Sequence, residues 1–63
     1  MKNDLEIIKR YEKVRKTGKY NMILEAPYAA EEAGLTIQEY NYVIKNYKTL
    51  MTKLDDAIDN GLA

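Results

Sequence analysis

The sequence contains no cysteine and no histidine. Without cysteine the chain can form neither disulfides nor thiolate metal sites. Without histidine it lacks the commonest metal ligand and the usual general base of enzymes. We therefore expect neither a metal site nor a cofactor, and the absence of cysteine fits a reducing compartment.

Long apolar runs are absent as well. No stretch approaches the roughly 20 apolar residues that span a bilayer. The chain starts with the charged segment Met1-Lys2-Asn3-Asp4 rather than with an apolar leader. These features predict a soluble, cytoplasmic protein without membrane association.

The chain has 63 residues, which allows a single domain over residues 1–63. A chain of this size buries only about 60% of the surface that its unfolded form exposes. Small domains therefore usually need disulfides, a metal or oligomerisation to be stable. Because the first two are not expected here, we expect oligomerisation.

Capping residues predict two short helices. Asn3, with Glu6 three residues later, marks a helix start, and Gly18 suits the left-handed residue that ends a helix. The first helix is thus predicted over residues 4–17. Pro27 fits the first position of a helix and Gly34 a second left-handed end, which places the second helix at residues 27–33.

A third, long helix is predicted over residues 37–59. Thr36 and Glu39 form a capping box at its start, and Asn60-Gly61 marks its end. The chain shows no strand signal. The expected fold is therefore all-α, with two short helices packed on one long amphipathic C-terminal helix and completed by oligomerisation.

The long helix carries an apolar seam with alternating steps of 3 and 4 residues, which is the heptad spacing of coiled coils. We expect this seam to form the oligomer interface, with a homodimer as the most frequent solution. Its members are Ile37, Tyr40, Ile44, Tyr47, Met51, Leu54 and Ile58. A third apolar position, at Val43, Leu50 and Ala57, widens the stripe enough to cover the two short helices as well.

The ten basic and ten acidic residues cancel, but they are unevenly distributed. Residues 1–20 hold seven Lys and Arg against three Asp and Glu, whereas residues 21–40 hold four Glu and no basic residue. Either the two segments attract each other, within a subunit or across an interface, or the basic segment binds an anionic partner.

An enzyme is not expected. The chain has no phosphate-binding glycine loop and no nucleophile elbow. Asp55, Asp56 and Asp59 could in principle ligate magnesium. Their position at the end of the third predicted helix is more typical of solvated carboxylates.

Residues 29–47 fit a helix-turn-helix template, in which the second helix would support and the start of the third would read DNA. The template needs a small residue, a turn glycine and apolar positions, which are supplied by Ala30, Gly34, Ala33, Leu35, Tyr40 and Val43. The surface offered to a groove carries only one positive charge, although phosphate binding needs several. That surface consists of Gln38, Glu39, Asn41, Tyr42 and Lys45. DNA binding is therefore an alternative and not the first hypothesis.

Tyrosine is the only aromatic residue, with six copies. Tyr20 follows Lys19, and Tyr42 lies on the third predicted helix, so either ring could stack on a base of a single strand or of a small signalling nucleotide. The competing interpretation is that both tyrosines pack at helix junctions or interfaces.

A distinctive pattern begins at the end of the first predicted helix. It comprises Arg15, Thr17, Gly18, Asn21 and Met22, then Gly34-Leu35-Thr36, and then Ile44, Asn46 and Tyr47. This pattern, over residues 15–47, resembles small uncharacterised accessory proteins of phages and prophages of Gram-positive bacteria. The resemblance implies a protein that binds and blocks, or sequesters, a component of the bacterial host, and it transfers no catalytic residue.

The first hypothesis is a non-catalytic, homo-oligomeric binding protein of phage origin that acts in the cytoplasm of a bacterial host. It would inhibit or modulate a host or defence protein, as anti-CRISPR proteins do. The alternatives are a helix-turn-helix DNA-binding regulator, a sponge for a small signalling nucleotide, and a structural or assembly subunit of a virion or replication complex. Basic, amide and tyrosine side chains are the candidates for partner contact, namely Arg15, Lys16, Lys19, Tyr20, Gln38, Asn41, Tyr42 and Lys45.

Overall fold

The computed structural model describes residues 2–61 and is helical without strands over that range. Four helices follow one another: α1 (Asp4–Arg15), α2 (Ala26–Ala33), α3 (Ile37–Lys45) and α4 (Tyr47–Asp59). Helix α1 contacts each of the other three, and α3 contacts both α2 and α4. The prediction of an all-α fold is confirmed. Among the described residues no helix is long and apolar enough to cross a membrane.

Helix α1 begins where the sequence predicts and supplies one wall of the core. The side-chain oxygen of Asn3 accepts a hydrogen bond from the Glu6 amide at 2.9 Å, which satisfies one of the free amides of the first turn. Ile7 and Ile8 are fully buried. Burial of a side chain of this size stabilises the fold by about 1.5–3 kcal/mol. The helix ends at Arg15, two residues before the predicted end.

Helix α2 packs through small side chains. Ala29, Ala30 and Ala33 are all buried, so the backbone of α2 can lie close to its neighbours. The helix starts at Ala26, one residue before the predicted start, and Pro27 occupies its first turn, where a missing amide costs nothing.

The predicted long C-terminal helix is wrong in one respect, because it is interrupted at Asn46. This residue has φ −120° and ψ 26°, and its side-chain amide donates to the carbonyl of Tyr42 at 2.9 Å. Asparagine favours such local bonds over a continued helix. An unbroken helix over residues 37–59 would be about 34 Å long. It would therefore be as long as the whole molecule, whose longest dimension is 33 Å. The interruption lets α3 and α4 both pack on α1.

The side of α3 and α4 that faces the core does not coincide with the predicted seam. It is rotated about the helix axis toward the neighbouring apolar position. The three residues that were predicted to flank the seam, Val43, Leu50 and Ala57, are all buried. Two members of the seam itself, Tyr40 and Leu54, are 1% and 8% exposed. These two side chains are therefore core residues and cannot form a subunit interface, which corrects the prediction made for them.

The remaining members of the seam lie at the edge of the core or outside it. Tyr47 and Met51 are partly buried against the core. Ile37, Ile44 and Ile58 are 49%, 38% and 55% exposed. Only this outer edge of the predicted seam is available to another molecule.

Tyrosine rings form the centre of the packing between α1 and the two C-terminal helices. The ring of Tyr11 lies 5.4 Å from that of Tyr40 and 5.7 Å from that of Tyr47, measured between centroids and in tilted or edge-on geometry. The Tyr40 hydroxyl donates to the carbonyl of Met22 at 2.6 Å. The Tyr47 hydroxyl donates to the Glu12 carboxylate at 2.7 Å. The three rings thus pack between helices, and the hydroxyls of Tyr40 and Tyr47 are satisfied by hydrogen bonds.

Candidate functional site

Helices α2 and α3 and the three residues between them form a helix-turn-helix unit. Gly34 has φ 71°, a left-handed conformation that ends α2, and the Leu35 amide closes the turn by donating to the Ala30 carbonyl at 2.9 Å. All five apolar or small template positions are at most 7% exposed, namely Ala30, Ala33, Leu35, Tyr40 and Val43. The helix-turn-helix spacing predicted from the sequence is therefore present in the structure, and its apolar positions are buried.

The N-terminal end of α3 is held by a network around Glu39. Its carboxylate accepts from the Thr36 amide at 2.9 Å while the Thr36 hydroxyl oxygen accepts from the Glu39 amide at 3.1 Å, which is the predicted capping box. The carboxylate also accepts from the backbone amide of Lys2 at 2.9 Å and pairs with the Lys2 ammonium at 3.2 Å. These donors, first the Lys2 amide, lower the pKa of Glu39 to about 2.

A second contact fixes the rotation of α3 about its axis. The Tyr42 hydroxyl donates to the Asp4 carboxylate at 2.9 Å, so this ring is directed toward α1. Asp4 is also paired with Lys53 of α4, and the hydrogen bond from Lys53 is the first cause of the lowered pKa of Asp4. Asp4 therefore links α1 to Tyr42 of α3 and to Lys53 of α4, and Tyr42 is partly buried.

The outer face of α3 is defined by Gln38, Asn41 and Lys45, which are all exposed. Lys48 follows at the start of α4 and is exposed as well. Glu39, which the sequence also assigned to this surface, is only 3% exposed and is neutralised by Lys2. Between residues 37 and 48 the exposed surface therefore holds two lysines and no carboxylate.

The side chains of this face offer two amides and one ammonium group. Asn and Gln amides can donate to and accept from the major-groove edge of adenine at once, and lysine neutralises phosphates. Among residues 2–61 no three Asp or Glu side chains come close enough together to hold a metal ion. Asp55, Asp56 and Asp59 are exposed on the last turns of α4.

The other predicted contact residues lie apart from the α3 face, at the end of α1 and in the segment after it. Lys16 is exposed. Arg15 is paired with the buried carboxylate of Glu12, with nitrogen–oxygen distances of 2.6 and 2.8 Å. Its charge is therefore used within the fold.

Lys19 and Tyr20 both bind Glu32 of α2. The Lys19 ammonium lies 2.7 Å from the Glu32 carboxylate and 5.3 Å from the centroid of the Tyr20 ring, and the Tyr20 hydroxyl donates to the same carboxylate at 3.0 Å. The ion pairs of Lys19 and Lys2 confirm that the basic first segment and the acidic second segment attract each other within one chain.

An apolar surface that was not predicted from the sequence lies before and within α2. Ile23, Leu24 and Tyr28 are 66%, 81% and 65% exposed, although they are large and lie within six residues of one another. Asn21 causes this exposure in part, because its side chain accepts from the amides of Ile23 and Leu24 and holds the segment in a tight turn. The feature of the sequence that could have predicted this surface is the pair Ile23-Leu24, which lies between the capping Asn21 and Pro27 and has no helical periodicity.

Comparison of the chain with protein-family models, with curated proteins and with solved structures gives no match. The resemblance to phage accessory proteins stays a prediction.

Proposed function

We propose that this chain is a non-catalytic binding protein and that the outer face of α3 binds the major groove of duplex DNA. The observation that carries the proposal is the composition of this face within a packed helix-turn-helix unit. Gln38, Asn41 and Lys45 are exposed, and the one carboxylate of α3 is buried. DNA binding, an alternative in the sequence analysis, is therefore placed before inhibition of a host protein.

The dimensions of α3 agree with this role. A helix with its side chains is about 10–12 Å in diameter, and a major groove about 12 Å wide admits it. With the helix in the groove, Asn41 would contact a base edge, Gln38 would lie near the helix N-terminus, and Lys45 would approach the phosphates. The lysine of the next helix, Lys48, adds a second positive charge at the same end.

Selection from a pool of random duplexes, followed by fluorescence anisotropy across a salt series, tests the proposal. We expect one sequence class to be enriched. Asn41→Ala should weaken binding to it by about 1–3 kcal/mol and relax the preference at one base pair. Lys45→Ala should weaken all duplexes alike and reduce the slope of log K against log salt by about 1. Lys9→Ala, an exposed lysine of α1, is the matched control and should change neither quantity.

Two results would contradict this function. One is a selection without enrichment and with an affinity that does not depend on salt. The other is a loss of affinity in Lys9→Ala as large as that in Lys45→Ala, since binding would then follow net charge alone.

A second candidate function is the inhibition of a bacterial host or defence protein, which the resemblance to phage proteins implies. The observation that favours it is the exposed group of Ile23, Leu24 and Tyr28, because apolar groups of this size mark protein contact sites. A bacterial lysate passed over wild-type protein and over Leu24→Asp tests it. A partner lost with Leu24→Asp and kept with the control Ile37→Asp supports this function, and an unchanged set of captured proteins contradicts it.

A further inference from the structure

The outer edge of the C-terminal helices carries a second regular pattern, of which only Met51 packs partly against the core. Its apolar members recur every seven residues at Ile37, Ile44, Met51 and Ile58. On α4 the pattern continues with polar residues between them, in the order Lys48, Met51, Asp55 and Ile58, at steps of 3, 4 and 3 residues. Residues at this spacing lie along one face of a helix. We call these four residues the α4 outer face.

The charges of the α4 outer face are arranged unfavourably for an isolated chain. Lys48 lies in the first turn of α4, where a positive charge opposes the helix dipole. Asp55 has a like charge one turn away, at Asp59. Lys48 and Asp55 are separated by two turns, about 10 Å, which is too far for an ion pair. Among residues 2–61 neither side chain has an ion-pair partner.

In a pair of antiparallel α4 helices the charges of Lys48 and Asp55 become complementary. When two copies of α4 lie antiparallel and cross between Met51 and Thr52, Lys48 of each copy faces Asp55 of the other. In the same arrangement Ile58 of each copy lies beside the junction of α3 and α4 in the other, where Ile44 is exposed. A parallel pair would instead place Lys48 against Lys48 and Asp55 against Asp55.

We propose that the α4 outer face binds a second copy of this chain in an antiparallel, two-fold symmetric dimer. The face fits its own copy because each of its residues has a suitable partner under the two-fold rotation, which is the requirement for a symmetric dimer contact. The two core residues of the originally predicted seam, Tyr40 and Leu54, take no part. The dimer shares Lys48 with the proposed DNA contact but does not otherwise depend on it, and its test contains no DNA.

Charge exchange at the two polar positions tests the arrangement. Sedimentation equilibrium over a dilution series at low salt would compare wild type with Lys48→Asp, Asp55→Lys and the double variant. We expect wild type to dimerise and each single variant to dimerise about tenfold more weakly or worse, because two attractive contacts become repulsive. The double variant should recover the wild-type affinity. An equimolar mixture of the two single variants should form a heterodimer.

Controls separate this contact from general effects. Lys9→Asp makes the same charge change on α1 and should leave the dimer intact. Far-ultraviolet circular dichroism checks that each variant is folded, and all the substituted side chains are exposed. Ile58→Asn removes an apolar contact without a charge change and should also weaken the dimer.

Three outcomes would overturn the proposal. One is a monomeric wild-type protein at every concentration. Another is a dimer that neither single charge variant weakens, as a parallel pair or a different face would give. The third is an equal loss in Lys9→Asp.

Discussion

The variant Tyr47→Phe removes one hydroxyl group and tests how much a hydrogen bond at the edge of the core stabilises the fold. The Tyr47 hydroxyl donates to the Glu12 carboxylate at 2.7 Å and joins α4 to α1. Glu12 is only 3% exposed, and Arg15 provides its other hydrogen bonds. The variant keeps the ring and its contact with Tyr11, so any loss comes from the hydrogen bond.

The size of the effect follows from the charge on the acceptor. A hydrogen bond to a charged group contributes about 1.5–3 kcal/mol. Because Arg15 still binds Glu12 in the variant, we expect the lower end, about 1.5 kcal/mol. For a domain of this size each kcal/mol shifts the melting temperature by about 4–8 °C, so a clear decrease should be seen. The matched control is Tyr28→Phe, whose ring is 65% exposed and which should change stability by less than about 0.5 kcal/mol.

Urea unfolding followed by circular dichroism measures both variants, at neutral pH and again in acid. The Arg15 guanidinium, before all other causes, keeps the pKa of Glu12 below its usual 4.5. A lowered pKa in the folded state stabilises the protein above pH 4.5 and loses that effect as the pH falls. The cost of Tyr47→Phe should therefore shrink in acid. Equal losses in Tyr47→Phe and Tyr28→Phe at neutral pH would refute the role of this bond.

Three further predictions concern the core, the turn and the cap of α3. Leu50→Ala, at a side chain 1% exposed, should cost about 2–5 kcal/mol in urea unfolding, whereas Ile58→Ala, at one 55% exposed, should cost far less. Gly34→Ala and Gly18→Ala should each cost about 1–2 kcal/mol because both glycines have positive φ. The two costs should be similar, because the atom that the added Cβ would approach at Gly34, 2.8 Å away, is a guanidinium nitrogen at the end of the flexible Arg10 side chain, which can move aside. The pKa of Glu39 is lowered to about 2, so its stabilisation is complete above its usual 4.5 and is lost as the pH falls toward 2. Glu39→Gln should consequently flatten the acid side of the stability profile, and an unchanged profile would contradict the network around this residue.

Local signals in the sequence located most of the helix ends. The caps at Asn3 and Thr36 and the left-handed glycine at Gly34 are where they were predicted, because each depends on a bond within a few residues. Asn46 was missed, since an asparagine inside a periodic stretch is tolerated by many helices. Its effect becomes visible only when both halves of the stretch pack on α1.

The core-facing side of the C-terminal helices was harder to predict for a different reason. Tyr40, Tyr47 and Leu54 belong to two heptad patterns at once, one with Ile44 and one with Leu50. Periodicity shows that a stripe exists, but it does not show which edge a neighbouring helix covers. The exposure of Ile44 and the burial of Leu50 are decided by the position of α1.

The candidate site could be predicted in part. The sequence alone identified Gln38, Asn41 and Lys45 as residues of one helix face, and the structure places them together on the outside of α3. It could not show that Glu39 is withdrawn from that face, because the partner of Glu39 is Lys2, 37 residues away.

The contact between the rings of Tyr11, Tyr40 and Tyr47 has a practical consequence. The chain has no tryptophan and no phenylalanine, so tyrosines alone give its near-ultraviolet circular dichroism. Three of the six tyrosines meet where α1 packs on the C-terminal helices. The tyrosine band therefore reports the packing of the core without any label, and it should disappear if the helices persist while their packing is lost. Binding of a second copy to the α4 outer face should leave most of this band unchanged.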